Sequence, residues 1–389
     1  MYPSRLNLDV ALGKDLAAIN EAGLLRQMKT VESIQGPEVR LGGRQVLLLC
    51  SNNYLGLASH PRLIEAAREA TTRWGTSSVS SRLISGHMHP HEQCERHLAA
   101  WTNTQSALLF STGYQANLSV VTALGGPGDL VVSDQLNHAS IIDGCRLARA
   151  DVAVYDHCDS DHLESILAAN RQRRRVLVIT ETVFSMDGDL APLADISLAC
   201  RRHGAWLMVD EAHASGIFGK RGSGLAEEAG IEADVHVGTL GKALGSFGAY
   251  VAGSRRLIDL LINRARPFIF TTGLPPAAAA AADTAAQLIE ADPGPRDGLR
   301  RRARSLGQRL RKAGLNVPNT DSQIIPIITG SVRDTVAASE RLLERGIYVA
   351  AIRPPTVPAD TSRLRLSIMA THSEEHLERA YREIVDCIA

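Results

Sequence analysis

From about residue 105 the chain alternates short apolar runs with longer stretches of helical period. SALLFS (106–111), DLVVSD (129–134), DVAVYD (151–156), RVLVITET (175–182) and AWLMVDEA (205–212) are strand-like, rich in β-branched residues and closed by polar ones. Between them the apolar spacing turns helical from Tyr114, from Ala139, over Asp161 to Asn170 and over Leu193 to His203. Strands separated by helices of this length predict right-handed crossovers and a mainly parallel sheet, so the fold class is α/β. VHVGTL (235–240) and GAYVAG (248–253) follow one another across a Gly-rich turn, which predicts that one of them is antiparallel or at an edge.

After Pro275 and Pro276 an alanine run, Ala277 to Ala282, leads into TAAQLIEA, and proline at a helix start with alanine inside it predicts one long helix bridging two domains. Beyond it come an amphipathic stretch from Arg300 to Lys312, SQIIPIIT, a helix around 332–344, GIYVAA, RLRLSIM and a last helix from Ser373. The expected division is an N-terminal helical segment (1–45) with one helix from about Val10 to Met28, a large domain with a mainly parallel sheet (46–280), and a smaller C-terminal α+β domain (281–389).

Length and composition agree with that division. The 389 residues are 44% hydrophobic, enough for more than one domain and a sizeable core. The 42 basic and 42 acidic side chains cancel, so no overall charge draws the chain to nucleic acid or an anionic membrane. No apolar run approaches the ~20 residues of a membrane helix, and the charged N-terminus lacks a signal-type apolar core, which predicts a cytoplasmic protein. The cysteines at 50, 94, 145, 158, 200 and 387 show no CxxC pair or zinc-ligand spacing, and reduced, mostly buried thiols are expected, with no metal.

Functional residues of a parallel sheet gather where strands end. Asp210 closes AWLMVD and His213 follows three residues later. A single lysine, Lys242, stands among glycines in VGTLGKALG, with Thr239 just before it. A lysine able to hold a carbonyl covalently, paired with a carboxylate that keeps a pyridine nitrogen protonated, is what pyridoxal phosphate (PLP) needs to act as an electron sink. Ser111, Thr112 and Gly113 end a strand and open a helix, whose free N–H groups suit a phosphate. His138, in NHAS, sits at another such junction, where an imidazole can stack on the ring, and Ser185 follows a fourth strand.

The ordered set SNNYLGL (51–57), STGYQAN (111–117), NHAS (137–140), FSMDGDLAPL (184–193), VDEAH (209–213), GTLGKALG (238–245), TTGLPP (271–276) and RPPTVP…SRLRL (353–366) closely resembles the α-oxoamine synthases. These are fold-type I, aspartate aminotransferase-like PLP enzymes that condense an α-amino acid with an acyl thioester and release CO2. The resemblance implies that Lys242 anchors the cofactor and moves the Cα proton, and that Asp210 pairs with the ring nitrogen. His213 would bond the phenolic oxygen and His138 would stack. Gly113 and Tyr114 would cradle the cofactor together with Ser185 and Thr239, and Thr272 would reach the phosphate of a neighbouring subunit, implying a homodimer with shared sites. Arg365 would grip the amino-acid carboxylate, a task suited to a guanidinium fork, helped by Asn52. Thr356 and Arg26 would touch the acyl substrate, an acyl-CoA or acyl-carrier-protein thioester.

One stretch departs from the pattern. GTSSVSSRLISG (75–86) carries Ser77, Val79 and Ser80 where the family commonly has glycines, so the amino acid and acyl chain stay open. HMHPH (87–91) is expected to be a loop before a helix rather than a metal site, and RQRRR (171–175) and RRRAR (300–304) to be solvated helix faces. GxGxxG, GxxxxGK[ST] and GxSxG are absent, which disfavours dinucleotide, nucleotide-hydrolase and serine-esterase readings. A DNA-binding regulator on the same fold would need a helical domain that 45 residues cannot house.

Overall fold

The computed structural model describes residues 7–388. Two strands, β1 (Glu38–Leu41) and β2 (Arg44–Leu48), precede seven more: β3 (Ser106–Phe110), β4 (Leu130–Asp134), β5 (Asp151–Tyr155), β6 (Val176–Glu181), β7 (Trp206–Asp210), β8 (Val235–Thr239) and β9 (Ala249–Gly253). Those seven form one sheet in the order β3-β9-β8-β7-β6-β4-β5. All its pairings are parallel except the two made by β9, which runs antiparallel between β3 and β8. The antiparallel strand is therefore β9, and it is internal rather than at an edge.

The near-continuous apolar runs follow from burial on both faces of this sheet. Leu109, Val132 and Val178 enter one hydrophobic cluster, while Leu108, Phe110, Val131, Leu177 and Ile179 enter the other on the opposite side. Successive side chains of a strand point to opposite faces, so one strand feeds two cores.

A second sheet, order β10-β13-β12, is built from β10 (Ile324–Gly330), β12 (Ala350–Ile352) and β13 (Ser362–Ser367), all antiparallel. A third joins the ends of the chain: β11 (Ile347–Tyr348) pairs in parallel with β2. The proline-started helix predicted after residue 275 is helix Pro276–Ala291, and the predicted helix from Arg300 starts earlier, as helix Gly294–Lys312.

Two local expectations are corrected. The N-terminal helix is Leu8–Glu21 and stops short of Met28. Gly23, at φ +67°, takes the left-handed turn, and the N–H groups of Gly23 and Leu24 close on the carbonyls of Asn20 and Ile19, a pairing that ends helices. HMHPH is not a loop throughout: helix His89–Trp101 begins inside it, and the buried His91 bonds the Met88 N–H and the Leu274 carbonyl. The cysteines are all free, with Cys94, Cys145 and Cys200 buried and Cys50, Cys158 and Cys387 only partly so. No described helix is long and apolar enough to cross a membrane.

Candidate active site

The parallel strands β6 and β7 end side by side, and beyond them the turn after β8 brings in Lys242. Its amine lies 2.9 Å from His213 Nε2, and His213 Nδ1 lies 2.7 Å from the Tyr54 hydroxyl. The Tyr54 hydroxyl donates to Asn52 Oδ1 at 3.0 Å. A neutral imidazole that accepts from Lys242 and donates to Tyr54 completes this chain. Burial, with the charges of Lys242 and Arg365, holds His213 well below the usual histidine range, consistent with that neutral form. Burial also lowers the Lys242 ammonium to about 8, against the opposing pull of Asp210 and Glu181.

Asp210 is 4% exposed. Its Oδ1 accepts from the Ala212 N–H at 2.9 Å and its Oδ2 from Asn117 Nδ2 at 2.8 Å, and Asn117 also donates to Ser140 Oγ. Ser140 in turn meets His138 Nδ1 at 2.8 Å. The His138 ring is exposed, with Tyr114 edge-on at 6.5 Å. Thr112 caps helix Gly113–Leu124 by accepting from the Gln115 N–H. The first N–H groups of that helix, at Gly113 and Tyr114, have no partner within it. Gly113 is in close contact with Thr239: a Cβ there would lie 2.9 Å from the threonine methyl. Thr239 itself donates to the Ala212 carbonyl.

Arg365, on β13, reaches across from the second sheet and is 5% exposed. Its Nε donates to the Ser185 carbonyl at 2.5 Å, and the guanidinium further contacts Ser367 Oγ at 2.7 Å, Asn52 Oδ1 at 3.4 Å and the Tyr54 hydroxyl at 3.4 Å. Every one of these partners is neutral. A buried guanidinium without a carboxylate carries an uncompensated charge, which a substrate carboxylate would neutralise.

The remaining predicted residues lie further out. Ser111 donates to the Thr272 carbonyl, and the Thr272 side chain is exposed. Arg26 is exposed and donates to the Pro354 carbonyl, two residues from the exposed Thr356. These two are brought near each other but make no contact with the buried cluster.

Four residues of the cluster were missed by the sequence reading. Asn117 lies one helical turn after Gly113 and so faces the same way. Tyr54 stands in the quoted SNNYLGL and is fully buried. Gln323 donates to the His213 carbonyl at 2.8 Å. Glu181, 2% exposed, ends β6 level with Asp210 and was legible by the same strand-end logic that singled out Asp210. Burial, and after it the Asp210 charge, raises Glu181 well above the carboxylate range, and its Oε1 has no partner. Glu211, next in sequence to Asp210, turns away and accepts from the N–H groups of Leu225 and Ala226 and from Thr182.

The residues fit PLP. A buried carboxylate, an amine near neutrality, a helix N-terminus, an open imidazole face and the orphaned Glu181 Oε1 converge on one place. Residues 44–384 match the model of the aminotransferase class I and II family, to which the chain belongs. Within it the chain is an α-oxoamine synthase, a PLP-dependent acyltransferase of fold type I. It is 49% identical over 369 residues to an 8-amino-7-oxononanoate synthase of Anaeromyxobacter dehalogenans, covering 94% of this chain and 92% of the other. It is 50% identical over 376 residues to that of Geobacter sulfurreducens, covering 95% and 96%. A serine palmitoyltransferase from S. paucimobilis, solved with PLP and myriocin bound, superposes with TM-score 0.92 at 32% identity over 97% of this chain and 96% of the other. The 8-amino-7-oxononanoate synthase of Francisella tularensis gives TM-score 0.77 at 27% identity, over 88% and 97%.

Proposed function

We propose that this α-oxoamine synthase is an 8-amino-7-oxononanoate synthase, condensing L-alanine with a pimeloyl thioester in biotin formation and releasing CO2 and the free thiol. The substrate reading rests on the identity of about half the positions to enzymes of that name across nearly the whole chain. The observation that carries the chemistry is the buried Arg365, linked through Tyr54 and His213 to the Lys242 amine with no acid beside it.

Bound PLP supplies an electron sink for the amino acid's Cα electrons. Lys242 would hold the cofactor covalently and would serve as the base that takes the Cα proton and returns it to the product. Asp210, held on both oxygens, would keep the ring nitrogen's proton in place, and His213 would donate toward the phenolic oxygen from Nε2 in the tautomer whose Nδ1 accepts the Tyr54 proton. His138 covers the ring, with Ser111, Thr112, Gly113, Tyr114, Ser185 and Thr239 around it. Arg365 and Asn52 bind the substrate carboxylate, and Arg26 with Thr356 lies on the acyl side. The boundaries at 45/46 and 280/281, the homodimer in which Thr272 serves the neighbouring site, and a cytoplasmic location belong to the same proposal.

The test is product formation by the holoenzyme from single amino acids and acyl-CoAs. Turnover is expected with L-alanine and pimeloyl-CoA, and silence with that pair alongside turnover with another overturns the substrate assignment while keeping the class. The higher structural likeness to serine palmitoyltransferase makes L-serine with a long-chain acyl-CoA the informative second pair.

A further inference from the structure

Behind the loop that carries Ser185 lies a second cluster of chemistry-bearing side chains, built from the ends of β4 and β5 and from the loop itself. His157 stands between two carboxylates: its Nδ1 is 2.9 Å from Asp134 Oδ1 and its Nε2 is 2.6 Å from Asp189 Oδ2. The Cys158 thiol is 3.6 Å from His157 Nε2 and 3.9 Å from the same Asp189 oxygen. Nitrogen, sulfur and oxygen thus surround one point: the N···S separation is the one that bonds of about 2.0–2.3 Å to a common tetrahedral ion produce, while S···O must close to about 3.5 Å and N···O open to about 3.3 Å.

Four further features suit a bound ion. Asp134 already accepts three hydrogen bonds, the His157 ring N–H and the N–H of Leu136 on one oxygen and that of Cys158 on the other. It therefore acts as the partner that fixes the ring and leaves Nε2 as the ligand atom. Asp189 Oδ1 is buried and has no partner, so its carboxylate is under-used as it stands. Cys158 sits at φ +57°, a backbone region where asparagine or glycine is cheaper, and this conformation turns its thiol onto the cluster. Partial exposure of His157 and Asp189 leaves an approach for an ion and its water.

We propose that His157, Cys158 and Asp189 form a binding site for a small divalent cation of borderline softness, Zn2+ above all, with Asp134 as the orienting partner. The mixed N, S and O donor set suits Zn2+ or Co2+ and disfavours Mg2+ and Ca2+, which prefer all-oxygen shells. Binding displaces one proton from the imidazolium and one from the thiol, and a water completes the shell. The site ties the loop from Val183 to Leu190 to the ends of β4 and β5. Because the Ser185 carbonyl accepts from Arg365, the ion would stiffen one wall of the carboxylate pocket without touching substrate.

The test uses the holoenzyme loaded with Zn2+, dialysed, and assayed for metal per chain by atomic emission. Wild type is expected to retain one equivalent that Cys158→Asn lacks; asparagine accepts the left-handed conformation and preserves the turn. Asp134→Asn should weaken retention by about 10–100-fold. Co2+ loading should give the intense visible bands of a tetrahedral site in wild type and lose them in Cys158→Asn and Cys158→Ser. Equal metal content in wild type and Cys158→Asn, or a weak octahedral Co2+ spectrum, overturns the assignment.

Discussion

Glu181 and Asp210 are register partners, each the last residue of its strand, so two carboxyl groups are buried side by side at the mouth of the sheet. Two adjacent carboxylates out of water do not both ionise readily. Asp210 accepts from two donors, and burial together with the Asp210 carboxylate raises Glu181 well above the usual carboxylate range, toward the protonated form that an amide mimics. Glu181→Gln is therefore close to neutral, with PLP affinity by absorbance titration within about threefold of wild type. Asp210→Asn should lower turnover by about 10²–10⁴-fold. A large loss of cofactor affinity in Glu181→Gln would show that Glu181 is ionised and in direct use.

The Lys242 amine sets a second expectation. Burial leads the effects that bring it to about 8, so it is charged below that pH and neutral above it. Only the neutral amine has a free pair with which to attack an aldehyde. The rate of covalent PLP capture by the apoenzyme should climb up to about pH 8 and then level off, read as borohydride-fixed label at Lys242. A rate still climbing steeply past pH 10 would mean an ordinary solvated lysine.

Arg365 should behave as a carboxylate fork and not as a point charge. Its Nε and one terminal nitrogen are held by Ser185 and Ser367, which fixes the plane of the guanidinium. Lysine cannot reproduce two parallel donors. Arg365→Lys should raise KM for the amino acid by about tenfold or more while leaving PLP binding intact, and Arg365→Ala should raise it further. Unchanged KM in both variants would place the substrate carboxylate elsewhere.

The large sheet was legible because strands buried on both faces write uninterrupted apolar runs, and its strand ends named Asp210 by position alone. What periodicity does not carry is contact between distant segments. Tyr54 and Gln323 meet His213, and Arg365 meets Tyr54, from stretches far apart in sequence, through side chains whose direction depends on how two sheets pack. The N-terminal helix was overextended because Leu24, Leu25 and Met28 continue its apolar spacing, while the glycine that stops it acts through backbone angle. Arg26 and Thr356 were placed on the acyl side by resemblance, and both are exposed away from the buried cluster.

The turn bearing Lys242 depends on a glycine that touches nothing reactive. Gly245 has φ +62°, and its N–H closes the turn on the Lys242 carbonyl at 2.9 Å. A Cβ there would fall 2.4 Å from the Ala58 nitrogen and 2.6 Å from the Leu57 carbonyl carbon, both backbone atoms that cannot step aside. Gly42, at a similar φ of +57° but with nothing within 4 Å, isolates the cost of the backbone angle. Gly42→Ala should cost only about 1–2 kcal/mol. Gly245→Ala adds overpacking of about 1–3 kcal/mol. Because relief requires moving the lysine turn away from residues 57–58, Gly245→Ala should also slow PLP capture by Lys242, which Gly42→Ala leaves unchanged. Thermal melts and capture rates for the two variants decide it: equal behaviour would mean that the turn is not braced against this segment.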